Sequence, residues 1–433
     1  MTDPEMAEHK LEFGLRIIDK LFRLGEILWY HSEKEYPVDK DNKSAVDVAW
    51  LYEVGQKYPL FIFEIESATT NSIVANPSKI FGESNQKFEK PLFLLLLKGG
   101  DWSGKISQLE NLFGSHNYRI YRFSLDEELN LILDILTQHR RLTNSLNIFE
   151  LISELLDNWK LLDINKILLH IEDLGFEKDK GTILPSYALL TRKYSAIKPH
   201  FIRLLKLKIE KPKGLFEGES YDTYLGNEWE IPIHLGILSA FADDKLEDKY
   251  FDDFMNWQEK SYYIKQIGAN YGLSRDYDLF ILGMAGAVLG ITAVLFYKVD
   301  KAREYIAGEL FDIIKNSDGF NPNTNIFNAL WLLHIAPDTG KGKEYYEYAK
   351  EYINSNGGIP EKIYTTPQTN YIGFLEGDDN LEDYGKRTNV VSWTDFKENK
   401  SSQKFNADIV FDLAINYLTD NEDKWNPITN GQL

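Results

Sequence analysis

The chain has no cysteine in its 433 residues, which excludes disulfides and thiolate metal sites. That absence fits a reducing cytosol. Histidine is also scarce: the eight residues show no ligand-like clustering and no HExxH motif, so a zinc hydrolase centre has no support. A Walker phosphate loop is missing too, since DTGKGK at 338–343 lacks the required spacing. Positive charge is in deficit. With a net charge of −19, the protein does not grip nucleic acid with its whole surface, and any phosphate contact must be local. The first ten residues, MTDPEMAEHK, are polar and mixed in charge, unlike a secretory signal. A cytoplasmic protein is the expectation.

Long apolar runs are nearly absent. The one uncharged stretch, Leu279–Tyr297, has 19 residues, close to the ~20 that span a bilayer. It contains Gly283, Gly286 and Gly290, which let helices pack closely, and charges flank both of its ends. It reads as a central buried helix of a helical domain rather than a membrane span. Apolar residues nevertheless make up 43% of the chain, enough for a full core. One segment could supply local phosphate contacts. Between Arg192 and Lys213 there are eight basic residues (Arg192, Lys193, Lys198, Arg203, Lys206, Lys208, Lys211 and Lys213) against a single acid, Glu210. A solvated helix face followed by a loop explains the same run. The acid-rich run FADDKLEDKYFDDF at 241–254 reads as a charged helix face.

Residues 11–30 alternate as an amphipathic helix, with Leu11, Leu15, Ile18 and Phe22 on one face. The following HSEKEYPVDKDNKS reads as a polar, turn-rich stretch. Two runs of strand character come next, Val46–Glu53 and Leu60–Ser67, joined by VGQKYP as an antiparallel hairpin. A helix capped at Thr69, Thr70 or Asn71 is predicted to run to about Phe88. PLFLLLLKGG then reads as a strand buried on both faces. A short helix at 104–114 and a strand at 118–124 complete an α/β domain assigned to 1–142. From about 146 the pattern is helical, giving a mainly α-helical domain at 143–433. A faint repeat is visible there: Asn316-Ser317-Asp318-Gly319 and Asn354-Ser355-Asn356-Gly357 both follow helical runs and lie 38 residues apart, which suits stacked helical hairpins. The polar segment Asp395–Gln403 reads as a loop.

Within FIFEIES, Glu64 and Glu66 share one face of a strand because side chains alternate. With 54–59 as the hairpin loop, Asp47 falls directly across from Glu66 and diagonal to Glu64. Three carboxylates then converge at one end of the hairpin. Like charges this close raise one another's pKa or recruit a cation. Oxygen ligands of this kind suit Mg²⁺ or Mn²⁺. A hairpin end with its acids free in water is the alternative.

Asp47, sixteen residues, then Glu64-Ile65-Glu66, set on a hairpin and followed by a helix and an apolar strand, resembles the PD-(D/E)XK nuclease superfamily, the fold of many restriction endonucleases. The resemblance covers roughly residues 10–140, and its motif is short and degenerate. It implies a restriction-endonuclease-like α/β domain, with a mixed sheet flanked by helices, ahead of the helical domain. It implies that Asp47 and Glu64 hold the divalent metal with the backbone carbonyl of Ile65. The family's usual Lys is replaced here by Glu66, which the resemblance assigns as metal ligand or base. Elsewhere in the superfamily that Lys sits on the following helix, where Lys79 lies. The first helix can supply an accessory acid, and Glu26 is the candidate by position.

The implied reaction is metal-dependent hydrolysis of DNA phosphodiesters to a 5′-phosphate and a 3′-hydroxyl, with restriction or defence as the biological setting and RNA as the other substrate class. DNA contact would fall to the basic segment (Arg192, Lys193, Lys198, Arg203, Lys206 and Lys208), to a homodimer or to a protein partner. The alternative is a catalytically inactive nuclease-fold protein that serves as a nucleic-acid or protein binding module, with Glu66 marking lost catalysis.

Overall fold

The computed structural model describes residues 3–37, 45–56, 58–66, 77–78, 92–97, 103–113, 117–122, 125–176, 180–210, 221–243, 246–260, 288–316, 322–358, 392–401 and 407–420. These residues are mostly helical, with one sheet near the N-terminus. The chain divides into two compact units, Met1–Ile197 and Lys198–Leu433. The change from mixed to purely helical character near residue 142 is therefore not the boundary of the first unit. The helices of 148–193 belong with the sheet, and Arg23 of the first helix lies 3.0 Å from the buried Glu154 of one of them.

The first unit opens with α1 (Asp3–Ile27), followed by β1 (His31–Pro37), β2 (Ala45–Leu51) and β3 (Phe61–Glu66). Next come β4 (Leu92–Leu97), α2 (Ser103–Phe113), β5 (Tyr118–Arg122) and α3 (Leu125–Leu142). The sheet order is β1-β2-β3-β4-β5. β1, β2 and β3 form an antiparallel meander, whereas β4 and β5 add in parallel.

The sheet has a helix layer on each face, because each face of its central strands is apolar. On one side Trp50, Phe61 and Phe63 cluster, with Tyr30 stacked on Trp50 at 5.6 Å between ring centroids. α1 covers this side: the Trp50 indole N–H donates to the Leu21 carbonyl at 3.1 Å. Gly25 permits the approach, since a Cβ there would lie 2.5 Å from the Trp50 indole nitrogen. α3 lies on the same side, where His139 contacts Tyr30. On the other side Ala49, Leu51 and Ile62 pack with Tyr118 and with Leu109 of α2.

α1 ends in a paired cap. The Tyr30 N–H donates to the Gly25 carbonyl and the Trp29 N–H to the Glu26 carbonyl, with Trp29 in the left-handed region at φ 62°. Glycine usually holds that position. The cap turns the chain so that Tyr30 enters the core at 7% exposure while Trp29 stays outside at 54%.

Three expectations change. His31–Pro37, read as a polar turn, is an edge strand: only Ser32 is buried, so its composition carries no apolar alternation. The hairpin loop is longer than six residues. Trp50 pairs with Phe61, and a turn at Glu53–Gln56 with Gly55 at φ 82° takes up the difference. The register is therefore shifted by two residues, and Asp47 falls level with Glu64 rather than Glu66. Finally, Trp393–Ser401 is a helix rather than a loop, anchored by the Trp393 and Phe396 rings against Tyr346.

The second unit is helical throughout its described residues. Its helices include Lys198–Glu210, Tyr221–Phe241, Glu247–Lys260, Asp300–Asn316, Pro322–Ile335, Gly342–Ser355, Trp393–Ser401 and Ala407–Asp420. The described part of the uncharged stretch, 288–297, begins as a helix in this core, with Leu289, Ile291, Val294 and Leu295 buried. A Cβ at Gly290 would overlap the Trp331 ring, so the glycine sets a close helix contact. Residues 279–287 lie outside the described residues. No helix among the described residues is long and apolar enough to cross a membrane. Gly357 caps its helix at φ 87°, as expected of the repeat, while Gly319 lies outside the described residues.

A candidate metal centre in the fork of the sheet

β2 and β3 are paired only from Trp50–Phe61 to Val48–Phe63. Beyond that point β2 continues along β1 to Ala45, and β3 continues along β4 to Glu66. The two strands fork, and Asp47, Glu64 and Glu66 lie at the opening. β3 there has an antiparallel neighbour on one side and a parallel neighbour on the other. Such switch points, at the carboxyl ends of parallel strands, are where open sheets bind ligands.

Asp47 bridges the fork. The Ile65 N–H donates to its carboxylate at 2.6 Å, replacing the ladder hydrogen bond that the divergence removes. A backbone donor to a carboxylate is a charge-assisted bond, worth about 1.5–3 kcal/mol. Glu64 and Glu66 are 6% and 9% exposed, and they share their face with Ile62. Two buried acids in a strand otherwise built of Phe and Ile incur a desolvation cost.

The electrostatics agree. Burial raises the Asp47 pKa, the Ile65 hydrogen bond opposes that shift, and the charges of Glu66 and then Glu35 add to it. Tyr118 is likewise pushed up, first by burial and then by the charge of Glu64. The charges of Glu66 and Glu35 thus act on Asp47, and that of Glu64 on Tyr118. Because the folded state holds the Asp47 proton more tightly than the unfolded chain, ionised Asp47 lowers stability as pH rises above the usual carboxylate range. Asp47→Asn is expected to raise the melting temperature of the metal-free protein at neutral pH. Added Mg²⁺ should stabilise the unsubstituted protein and not the variant. Differential scanning calorimetry in chelator and in Mg²⁺ checks both effects.

Among the described residues no three acidic or imidazole side chains are gathered closely enough to form a preformed metal cage. Mg²⁺ needs no such cage, because it keeps several waters and is held by one or two carboxylates plus substrate oxygens. Asp47, Glu64 and the Ile65 carbonyl are hard oxygen donors of that type.

The other candidates separate from this group. Glu26 is exposed and lies on α1, which covers the opposite face of the sheet. Asp19 on the same helix pairs with Lys34 at 2.5 Å. Lys79 lies outside the described residues, as does most of the helix predicted from 69–71 to 88. The basic segment is divided between the units. In the first, Lys193 pairs with Asp157 at 2.8 Å. In the second, Lys198 pairs with Asp243 at 2.7 Å, Arg203 lies 3.4 Å from His200, and Lys206 sits over the Tyr250 ring. The side chain of Lys208 lies outside the described residues. Sequence alone pointed to neither Glu35 nor Tyr118. Glu35 falls in a stretch with the composition of a turn, and Tyr118 has the pattern of ordinary core.

No family model matches the chain, and neither a curated protein nor a solved structure matches it.

Proposed function

We propose that the first unit is a divalent-metal-dependent nuclease of the restriction-endonuclease-like type that hydrolyses phosphodiester bonds in DNA. The observation that carries this reading is the fork. An aspartate on one strand is tied to the backbone between two buried glutamates on the next, at the point where the sheet changes from antiparallel to parallel pairing. The order α1-β1-β2-β3-β4-α2-β5, with helices on both faces, supports the same type of domain.

A bound Mg²⁺ or Mn²⁺ supplies charge neutralisation of the phosphate and a bound water of lowered pKa. Asp47 and Glu64 would hold the ion with the Ile65 carbonyl. The Ile65 N–H keeps the Asp47 carboxylate turned into the fork. Glu66, in the family's Lys position, accepts the proton of the attacking water as its oxygen bonds to phosphorus and the 3′-oxygen leaves. Arg203 and Lys206 are candidates for contact with the DNA backbone, and a second copy of the chain or a protein partner would add what an acidic surface withholds. A cytoplasmic role in restriction or defence follows by analogy alone.

One observation favours the non-catalytic reading: a glutamate stands where the family places its lysine. Incubating the purified chain with plasmid, linear DNA, single-stranded DNA and RNA, in Mg²⁺ and in Mn²⁺, separates the two. Metal-dependent cutting of DNA is expected. Binding without cutting in either metal would assign the fold to a binding module, and cutting confined to RNA would change the substrate class.

A further inference from the structure

Asp47 is the only one of the seven residues of β2 that has no partner in either neighbouring strand. The β2–β3 pairing stops at Val48, which frees one side. On the other side β1 and β2 are paired both before and after it, Lys34 with Val48 and Tyr36 with Val46. The register is unchanged across the gap, so no residue is inserted there. What interrupts the ladder is Glu35, opposite Asp47. It adopts φ 52°, left-handed in the middle of an extended strand. A non-glycine residue in that region is uncommon. The rotation swings the peptide groups flanking Glu35 away from the direction in which they would bond to β2.

We infer that Glu35 is a positioning residue of the fork: its left-handed backbone releases Asp47 from β1 and leaves its carboxylate to bind the Ile65 N–H. The inference rests on the reading of the fork as the functional site. Without the break, Glu35 and Asp47 would be paired in the β1–β2 ladder as the residues on either side of them are. In that regular geometry the Asp47 side chain would stand off the sheet rather than lean along it to the 2.6 Å contact with β3. The placement of Glu35 also gives its charge a route to Asp47, so backbone shape and carboxylate must be tested apart.

Two substitutions in the full chain do this. Glu35→Val puts a branched β-carbon where the left-handed region excludes it, pressing the residue into ordinary strand geometry. Glu35→Gly adopts the left-handed region freely and removes the carboxylate. Two readouts are compared: the amide resonance of Ile65 in isoleucine-labelled protein without metal, and Mn²⁺ affinity by calorimetry. In Glu35→Val the Ile65 amide should lose the downfield shift of a carboxylate-bound N–H, and Mn²⁺ affinity should fall about 10- to 100-fold, as when a partner that orients a ligand is lost. In Glu35→Gly both should stay as in the unsubstituted chain. Glu35→Thr, also branched, serves if valine prevents folding. An unmoved Ile65 amide in the branched variant would overturn the inference. Equal loss in Glu35→Gly would overturn it too, by assigning the effect to the charge. Because the amide readout needs no metal, the two ideas fail separately: absence of Mn²⁺ binding by the unsubstituted chain sinks the metal site, whereas an unmoved amide sinks the positioning role.

Discussion

Replacing Glu64 with alanine should abolish metal-dependent DNA cleavage, by a factor on the order of 10³ or ~4 kcal/mol of transition-state stabilisation, while leaving the protein folded. Glu64 is 6% exposed in a strand whose neighbours are Phe63 and Ile65. On the proposed reading its removal takes away a metal ligand. It also relieves the cost of burying an anion, which offsets part of the packing lost with the side chain. Loss of activity with nearly unchanged thermal stability is therefore the signature of a functional acid. A structural acid would show the reverse, a large drop in melting temperature at full activity. Single-turnover cleavage at saturating Mn²⁺, with calorimetric melting of the same samples, distinguishes the two.

Acid should destabilise both units, and a histidine is the cause in each. His139 is fully buried. Its Nε2–H donates to the Ser145 carbonyl at 2.9 Å, which leaves Nδ1 to accept the Tyr30 hydroxyl at 2.8 Å. That neutral tautomer uses both ring nitrogens, so a second proton on Nδ1 would force the Tyr30 hydroxyl to turn its own hydrogen away. Burial lowers the His139 pKa to about 4, with the Ser145 hydrogen bond opposing. His200, in the second unit, is lowered to about 4 by burial and then by the Arg203 charge. A depressed histidine pKa gives stability that is fully present above the unfolded value of 6.5 and is lost as pH falls toward 4. Each histidine should remove on the order of 3 kcal/mol over that interval. In the first unit, Asp47 and Glu128 work against the loss, since burial raises both and protonation relieves them. The acid limb should therefore be steeper for the second unit. Denaturant unfolding from pH 7 to pH 4 measures it, and His139→Gln should flatten the limb of the first unit alone. A limb unchanged by that substitution would mean that His139 is not the group responsible.

What the sequence revealed, and what it hid, has physical reasons. β2, β3 and β4 were legible as short apolar runs of strand length, and LFLLLL or FIFEIE can hardly be anything else, while β5 showed itself by the aromatic and β-branched residues of YRIYR. β1 was not, because an edge strand with one wet face shows the composition of a turn. That Glu64 and Glu66 share a face was legible because side chains alternate along β3 whatever its register, and the true register differs from the expected one by two. Their pairing was not, because loop length was read from the end of the apolar run, and the chain spends more residues on the turn around Gly55. Trp393–Ser401 carries so few apolar residues that only its contacts with Tyr346 identify its buried side. The basic segment was plain as letters, but the acids that answer it, Asp157 and Asp243, lie 36 and 45 residues away from their lysines. The left-handed conformation of Glu35 leaves no trace in composition at all.

On the proposed reading the fork holds a divalent cation through Asp47 and Glu64. Titration of Mn²⁺ into the metal-free full chain by calorimetry, beside Asp47→Asn and Glu64→Gln, tests it most directly, since neither substitution changes side-chain size appreciably. Binding by the unsubstituted chain is expected, weakened in each variant by about 10- to 100-fold, on the scale of a lost ligand contact. Equal binding by all three proteins, or none by the unsubstituted chain, would contradict it.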